Sequence, residues 1–146
     1  MASARPRHAV LVVEDAISVR TMLAEFFMRH GYDVLHARHP DVALKRLSAA
    51  GTTVEAVILD ICLDDHRSGL EVLELIRLDE RFVNLTVVVL TGLARLDLRE
   101  IEIIRRNRAH LLYKQQGYKK VFERLGHLIR PLTAPASVPA GAPRPR

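Results

Sequence analysis

Short apolar runs alternate along this chain with longer segments whose apolar residues recur every three or four positions. Three of the runs (AVLVV, VEAVIL and LTVVVL) are almost continuously apolar and rich in valine and isoleucine. Such runs are typical of strands buried on both faces of a parallel sheet. Together with two less apolar runs they predict five strands, at Ala9 to Val13, Asp33 to Ala37, Val54 to Leu59, Leu85 to Leu90 and His110 to Tyr113.

The segments between the runs have helical spacing. Gly31 stands where the C-cap of a first helix belongs, and Pro40 suits the first turn of a second. Ser68 followed by Glu71 is a capping box that predicts the start of a third helix. A fourth is predicted over about 95–108. A fifth is indicated by the spacing of Tyr118, Val121, Phe122, Leu125 and Leu128.

Five strands alternating with five helices predict an α/β fold with a doubly wound, five-stranded parallel sheet. We assign this domain to residues 9–130. Residues 1–8 are predicted to be disordered, as is the tail 131–146, which holds five of the seven prolines and has no periodicity. These lengths leave no room for an output domain such as a DNA-reading helix-turn-helix.

Composition and cysteine content indicate the cellular compartment of the protein. The chain is 49% apolar and 27% charged, which is ordinary for a soluble domain. No apolar run approaches the roughly 20 residues that a membrane-spanning helix needs, so we predict no membrane association. Cys62 is the only cysteine, which excludes an internal disulfide and fits a reducing compartment. The predicted location is the cytoplasm.

The net charge of +5 is unevenly distributed. Residues 9–104 contain ten basic and sixteen acidic side chains, whereas residues 105–130 contain eight basic and one acidic. The basic segment raises the hypothesis of nucleic-acid binding. A solvated face is the preferred interpretation, so nucleic acid is considered an unlikely partner. The residues concerned on the fourth and fifth helices are Arg105, Arg106, Arg108, Lys119, Lys120 and Arg124.

Reactive groups follow four of the five predicted strands. In an open α/β sheet, ligands bind beyond the carboxyl ends of the strands. The first strand ends in two carboxylates and the third in one, while a hydroxyl ends the fourth and an ammonium the fifth. Singly, each has an ordinary interpretation as a helix cap, a strand former or a solvated charge; their joint occurrence at one edge indicates a site. These residues are Glu14, Asp15, Asp60, Thr91 and Lys114.

Three clustered carboxylates repel one another unless a cation compensates them. Because only oxygen ligands are available, Mg²⁺ or Mn²⁺ is favoured over zinc. Asp60 as a nucleophile would form an acyl phosphate. The metal and Lys114 would neutralise the phosphoryl oxygens, and Thr91 would donate a hydrogen bond to one of them.

Four segments of the chain resemble the receiver domains of two-component response regulators: VLVVEDAISVRTML, VILDICLDD continuing to SGLEVLELIR, VVVLTG and LLYK. The resemblance covers residues 9 to about 130. It implies a flavodoxin-like fold with strand order 2-1-3-4-5. It also implies signalling by phosphorelay, with a sensor histidine kinase or a histidine phosphotransfer protein as the phosphoryl donor.

The same resemblance implies a role for each site residue. Asp60 would be the phosphoacceptor, Thr91 the switch hydroxyl and Lys114 the invariant lysine. The magnesium ligands would be Asp15 and Asp60 directly, Glu14 through water, and the backbone carbonyl of Cys62.

Three departures from the family pattern concern the surroundings of the site. Gln115 follows Lys114, where the family has a cis-proline. The loop after Asp60 is one residue longer and carries Asp64-Asp65 in place of a proline. The position of the switch aromatic is occupied by Leu111, and Tyr113 is predicted to have the opposite strand parity. We therefore expect intact phosphorylation chemistry and an altered output switch.

We predict a single-domain response regulator that relays a phosphoryl group, acts as a phosphate sink or binds a target, and is not an enzyme. The enzyme alternative is an aspartyl-phosphate phosphatase. Such an enzyme needs a carboxylate two residues after its nucleophile, where this chain has Cys62, and a cap insertion that is missing here. A homodimer through the fourth and fifth helices is possible, with apolar contacts from Leu98, Ile101 and Ile104.

Overall fold

A computed structural model describes residues 8–63 and 69–132 of the chain. The described part contains five strands and five α-helices in strict alternation. The strands are β1 (Ala9–Val13), β2 (Asp33–Ala37), β3 (Val54–Leu59), β4 (Thr86–Thr91) and β5 (His110–Tyr113). The helices are α1 (Ile17–Arg29), α2 (Pro40–Ala50), α3 (Gly69–Leu78), α4 (Leu98–Arg106) and α5 (Tyr118–Leu128).

The strands form one parallel sheet in the order β2-β1-β3-β4-β5. This confirms the predicted doubly wound, flavodoxin-like α/β fold. Alternate residues of each strand enter different cores. Val10 and Val12 pack with α1 and α5, while Leu11 and Val13 pack with α2, α3 and α4. Burial on both faces explains why the central strands β1, β3 and β4 are almost continuously apolar.

Two elements, β4 and α4, have boundaries that differ from the predicted ones. Strand β4 begins and ends one residue later, so Thr91 is its last residue. Helix α4 begins at Leu98 rather than near 95, because Asp97 and Glu100 form a reciprocal capping box. The Ser68 half of the box predicted for α3 lies outside the described residues.

The predicted disordered ends lie almost entirely outside the described residues. At the amino end, the carbonyl of His8 accepts a hydrogen bond from Asp33 N at 2.9 Å. At the carboxyl end, Tyr32 donates its hydroxyl to the carbonyl of Arg130 at 2.6 Å, and Leu132 N donates to the carbonyl of His30 at 2.7 Å. None of the helices in the described part is both long and apolar enough to cross a bilayer.

Candidate functional site

The sheet carries its reactive residues at the carboxyl ends of its central strands. Beyond the last residue of β1, Glu14 N donates to the carbonyl of Ala37 at 3.0 Å, which extends the pairing with β2. Beyond β3, Asp60 N donates to the carbonyl of Val13 at 3.0 Å, which extends the pairing with β1. These two bonds hold both carboxylates on rigid continuations of the sheet.

An ammonium joins the two carboxylates. Lys114 Nζ donates to Glu14 Oε1 at 2.5 Å and to Asp60 Oδ2 at 3.0 Å. Both acidic residues are buried, with Glu14 2% and Asp60 8% exposed. A group from the end of β5 thus reaches residues at the ends of β1 and β3. The structure brings together three of the residues that the sequence predicted to meet.

A third carboxylate completes an acidic cluster. Single oxygens of Glu14, Asp15 and Asp60 lie within 4.8 Å of one another. Glu14 Oε2 is buried without a hydrogen-bond partner among the described residues. Buried carboxylate oxygens are the ligands that Mg²⁺ and Mn²⁺ prefer, and an unsatisfied one is costly unless something binds it. The cluster therefore fits a hard divalent cation.

Electrostatics around Glu14 also favour a cation. Burial, a hydrogen bond with Asp60 and the charge of Asp60 raise the pKa of Glu14 to about 8, although Lys114 opposes the shift. Burial lowers the pKa of Lys114, but Glu14 and Asp60 outweigh this effect, so that its pKa is raised. One ammonium thus compensates the negative charge of the three carboxylates only in part.

Backbone amides hold the side-chain oxygens of Thr91 and Asp60. Thr91 is fully buried, and its Oγ1 accepts a hydrogen bond from Leu93 N at 3.1 Å. Asp60 Oδ1 accepts a hydrogen bond from Cys62 N at 3.2 Å. The carboxylate of Asp60 is therefore held on both oxygens, by an amide and by an ammonium. The role of the Cys62 carbonyl as a metal ligand stays a prediction.

Gly69 is a residue of the site that the sequence analysis did not single out. Its N–H donates to the carbonyl of Ile61 at 2.9 Å, so the first turn of α3 lies directly on the segment after β3. A Cβ at this position would lie 2.0 Å from the carbonyl oxygen of Asp60. Only glycine permits this approach. The sequence signal was the glycine at the predicted start of α3.

We expect Gly69→Ala to destabilise the protein by ~2 kcal/mol, because overpacking against rigid backbone costs about 1–3 kcal/mol. It should also displace Asp60. Gly126→Ala is a matched control, since its Cβ would meet only the ring edge of Phe26, at 3.9 Å, within helix α5. Chemical denaturation measures both. A Gly69→Ala protein as stable as the wild type would contradict the close approach.

Tyr113 does not point where the sequence analysis placed it. The prediction gave it the opposite parity to Leu111, but both side chains pack against the same core cluster, and Leu112 between them belongs to the other. The prediction was wrong, because residues two apart on a strand share a face. Tyr113 is also the register partner of Thr91 in the pairing of β4 with β5.

The segment after Lys114 is compact although it lacks the proline of the family pattern. Residues Lys114–Gln116 form a 3-10 turn, and Gly117 follows at φ 91°, in the region that favours glycine. Helix α5 begins immediately afterwards. The residues Asp64 and Asp65 of the longer loop lie outside the described residues.

Three of the six basic residues on the carboxyl-terminal face are already engaged within the protein. Arg105 pairs with Glu102 at 2.9 Å, and Arg106 pairs with Glu74 at 3.2 Å. Arg108 donates to the carbonyl of Val83 at 2.8 Å. Because these groups are partly neutralised or oriented by neighbours, the face does not favour the nucleic-acid hypothesis.

Solved structures with the same fold come from several signalling proteins. A chemotaxis response regulator of Vibrio cholerae matches with a TM-score of 0.71 at 21% identity, over 84% of this chain and 99% of that one. A response regulator receiver protein of Pseudomonas putida matches at 0.68 and 23%, over 85% and 99%. The phosphorylated cyanobacterial phytochrome response regulator RcpA matches at 0.68 and 19%, over 84% and 91%.

Comparison of the sequence with family profiles identifies the family of this chain. No curated protein matches this sequence at a significant level. The profile of the response regulator receiver domain, however, matches residues 10–125, which is most of the chain. This span includes all five strands from Val10 onward and every residue of the acidic cluster and its lysine. The chain belongs to the response regulator receiver domain family.

Proposed function

We propose that this receiver domain accepts a phosphoryl group on Asp60 from a phosphohistidine, on a sensor histidine kinase or a histidine phosphotransfer protein. The observation that supports this most is the position of Lys114, whose ammonium contacts both Glu14 and Asp60 in a buried acidic cluster. A carboxylate held between an amide and an ammonium is oriented for attack. The neighbouring carboxylates would bind the divalent cation that phosphoryl transfer needs.

In the proposed reaction, a carboxylate oxygen of Asp60 attacks phosphorus and forms an O–P bond. The P–N bond of the phosphohistidine breaks, and its electron pair leaves with the imidazole. The product is an acyl phosphate on Asp60. The Lys114 ammonium is placed to neutralise a phosphoryl oxygen, and the Thr91 hydroxyl has its proton available for another.

The proposed metal ligands are Glu14, Asp15, Asp60 and the backbone carbonyl of Cys62, with Mg²⁺ or Mn²⁺ as the ion. A bound divalent cation supplies positive charge that offsets the phosphoryl oxygens in the transition state. The residues of the chain do the rest: Asp60 presents the nucleophilic oxygen and Lys114 orients it. Burial of the cluster limits the access of water.

Removal of one carboxylate tests the metal site. We expect Asp15→Asn to weaken Mg²⁺ binding by about tenfold or more and to slow phosphoryl transfer from acetyl phosphate, since each anionic ligand contributes to the affinity. Calorimetric titration with Mg²⁺ measures the first effect. Asp41→Asn, an exposed carboxylate on α2, is the matched control. Equal Mg²⁺ affinity in the two variants would contradict the proposed ligand set.

Phosphorylation is proposed to act through protein contacts, by relay of the phosphoryl group, storage of it, or binding of a target. The phosphatase alternative is not favoured, because the position of its second acid is Cys62, whose backbone N–H holds Asp60. As a receiver, the chain is proposed to phosphorylate and dephosphorylate itself without turning over a free substrate, in the cytoplasm.

We also propose a homodimer through α4 and α5. Leu98 is 86% exposed and Ile101 lies beside it at 40%, whereas Ile104 is buried and unavailable. We expect light scattering to show a concentration-dependent dimer that Leu98→Glu abolishes. Ile17→Glu, at an exposed position on α1, is the control. A monomer at high concentration in both phosphorylation states would refute the dimer.

A further inference from the structure

A second cleft lies at the outer edge of the sheet, where β2 ends and α2 begins. It has a volume of about 470 Å³, which is within the roughly 300–1,000 Å³ of small-molecule sites. Cationic and imidazole side chains from α1, β2, α2 and the turn between the last two line it: Arg20, His36, Arg38, His39 and Arg46. None of them belongs to the acidic cluster.

The charge of this cleft is one-sided. Three guanidinium groups line it, and no carboxylate is among the lining residues in the described part of the chain. Like charges brought together in this way repel one another unless an anion lies between them. The cleft also borders the first turn of α2, whose one acidic residue, Asp41, is exposed and does not line the cleft.

His36 provides an independent observation. Its Nδ1 is buried without a hydrogen-bond partner among the described residues, which is costly for a polar ring atom. Burial and the charges of Arg20 and Arg46 lower the pKa of this histidine. An anion bound in the cleft would offset the positive charges of Arg20 and Arg46.

We propose that this cleft binds a small phosphate-bearing anion. Arginine forks match phosphate oxygens in bidentate geometry, which lysines do not provide. Ala37 and Val42 supply apolar wall beside the charges, so the rest of a compact ligand can be covered. A concave, partly apolar cleft suits such a ligand better than an extended polyanion.

The cleft has a direct connection to the phosphoacceptor site. Arg20 Nη1 donates to the backbone carbonyl of Glu14 at 3.0 Å, and Glu14 is bonded to Lys114. An anion that engages Arg20 therefore acts on a residue that holds the backbone of the acidic cluster. Because linkage is reciprocal, the bound anion should change Mg²⁺ affinity by the same factor by which Mg²⁺ changes anion affinity.

Calorimetry on the full chain tests the proposal, in EDTA so that metal-bridged binding at the acidic cluster is excluded. The probes are AMP, GMP and inorganic phosphate, with the uncharged nucleosides as negative controls. Arg38→Gln/Arg46→Gln removes two exposed cleft charges without touching the core. Lys120→Gln/Arg124→Gln removes two exposed charges from α5 and keeps the same net charge. Circular dichroism checks that both variants fold.

We expect saturable binding of at least one phosphate-bearing probe, weakened by about tenfold or more in the cleft variant and unchanged in the α5 variant. Binding of the nucleotides alone identifies an esterified phosphate as the ligand; equal binding of inorganic phosphate identifies the free anion. Asp60→Asn should still bind the probe saturably, which separates this site from the proposed phosphoacceptor. Absence of saturable binding, equal weakening in both variants, or loss in Asp60→Asn would overturn the proposal.

Discussion

Asp60→Asn should reduce phosphorylation to background, whether the donor is a phosphohistidine protein or acetyl phosphate. The amide lacks the anionic oxygen that attacks phosphorus. Asp60 has one oxygen bonded to Cys62 N and the other to Lys114. For Glu14 to accept the phosphoryl group instead, its carboxylate would have to leave Lys114 and turn an oxygen toward the phosphorus. Labelling with radioactive phosphate, followed by gel electrophoresis, measures the loss.

The fold should survive this substitution. Asparagine keeps the shape of the side chain, and the loss of one negative charge relieves repulsion that raises the pKa of Glu14. We therefore expect a melting temperature equal to or slightly above that of the wild type. Asp41→Asn, on the exposed surface of α2, should label normally. Wild-type labelling of the Asp60→Asn protein would refute the assignment of the phosphoacceptor.

The sequence predicted the fold and most of the cluster because both follow from short-range patterns. Strands buried on both faces are apolar throughout, so their ends are marked by the first polar residue. Glu14 and Asp60 stand at such positions, Lys114 follows the edge strand β5, and a parallel sheet brings all three to one edge. The prediction that these three residues lie close together therefore did not depend on side-chain packing.

Features that depend on packing between distant segments could not be predicted in the same way. The contact of Gly69 with the Asp60 carbonyl depends on the angle at which α3 approaches β3. The arginine cleft is composed of residues from α1, β2 and α2 that only the tertiary fold brings together. Tyr113 is a different case, because its strand parity was readable from the sequence and was assigned incorrectly.

The corrected position of Tyr113 puts an aromatic ring on the face of β5 where the expectation of a muted conformational switch assumed none. Leu111 packs in the core cluster and has no polar-tipped ring to relocate when Thr91 moves. Tyr113 is the register partner of Thr91 and packs against the same core cluster as Leu111. Amide chemical shifts before and after phosphorylation should change little around Leu111. We expect Tyr113→Leu to show the same shift changes on phosphorylation as the wild type. A loss of these changes in the variant would mean that the Tyr113 ring takes part in the switch.

A long-lived phosphoryl group is the second large effect that we expect. Hydrolysis of the acyl phosphate needs a water molecule in line with the O–P bond. The residues two positions beyond Asp60 and Thr91 are Cys62 and Leu93, and neither side chain orients water well. Leu93 is half-buried, packs against the core cluster and donates its N–H to Thr91 Oγ1. Its apolar side chain should cover the phosphoryl group and raise the barrier to hydrolysis.

The double variant Cys62→Asn/Leu93→Glu tests this cover. It introduces an amide and a carboxylate that can orient water, and positioned proton acceptors contribute ~10²-fold or more to such reactions. We expect the radiolabel to decay about a hundredfold faster than in the wild type, which corresponds to ~2.7 kcal/mol in the barrier. Leu78→Glu, which adds a carboxylate at the exposed carboxyl end of α3, is the control for charge alone and should decay at the wild-type rate. The cover would be refuted by decay of the wild-type label within seconds, or by a double variant that decays no faster, since an apolar leucine beside Thr91 would then have no effect on the attacking water.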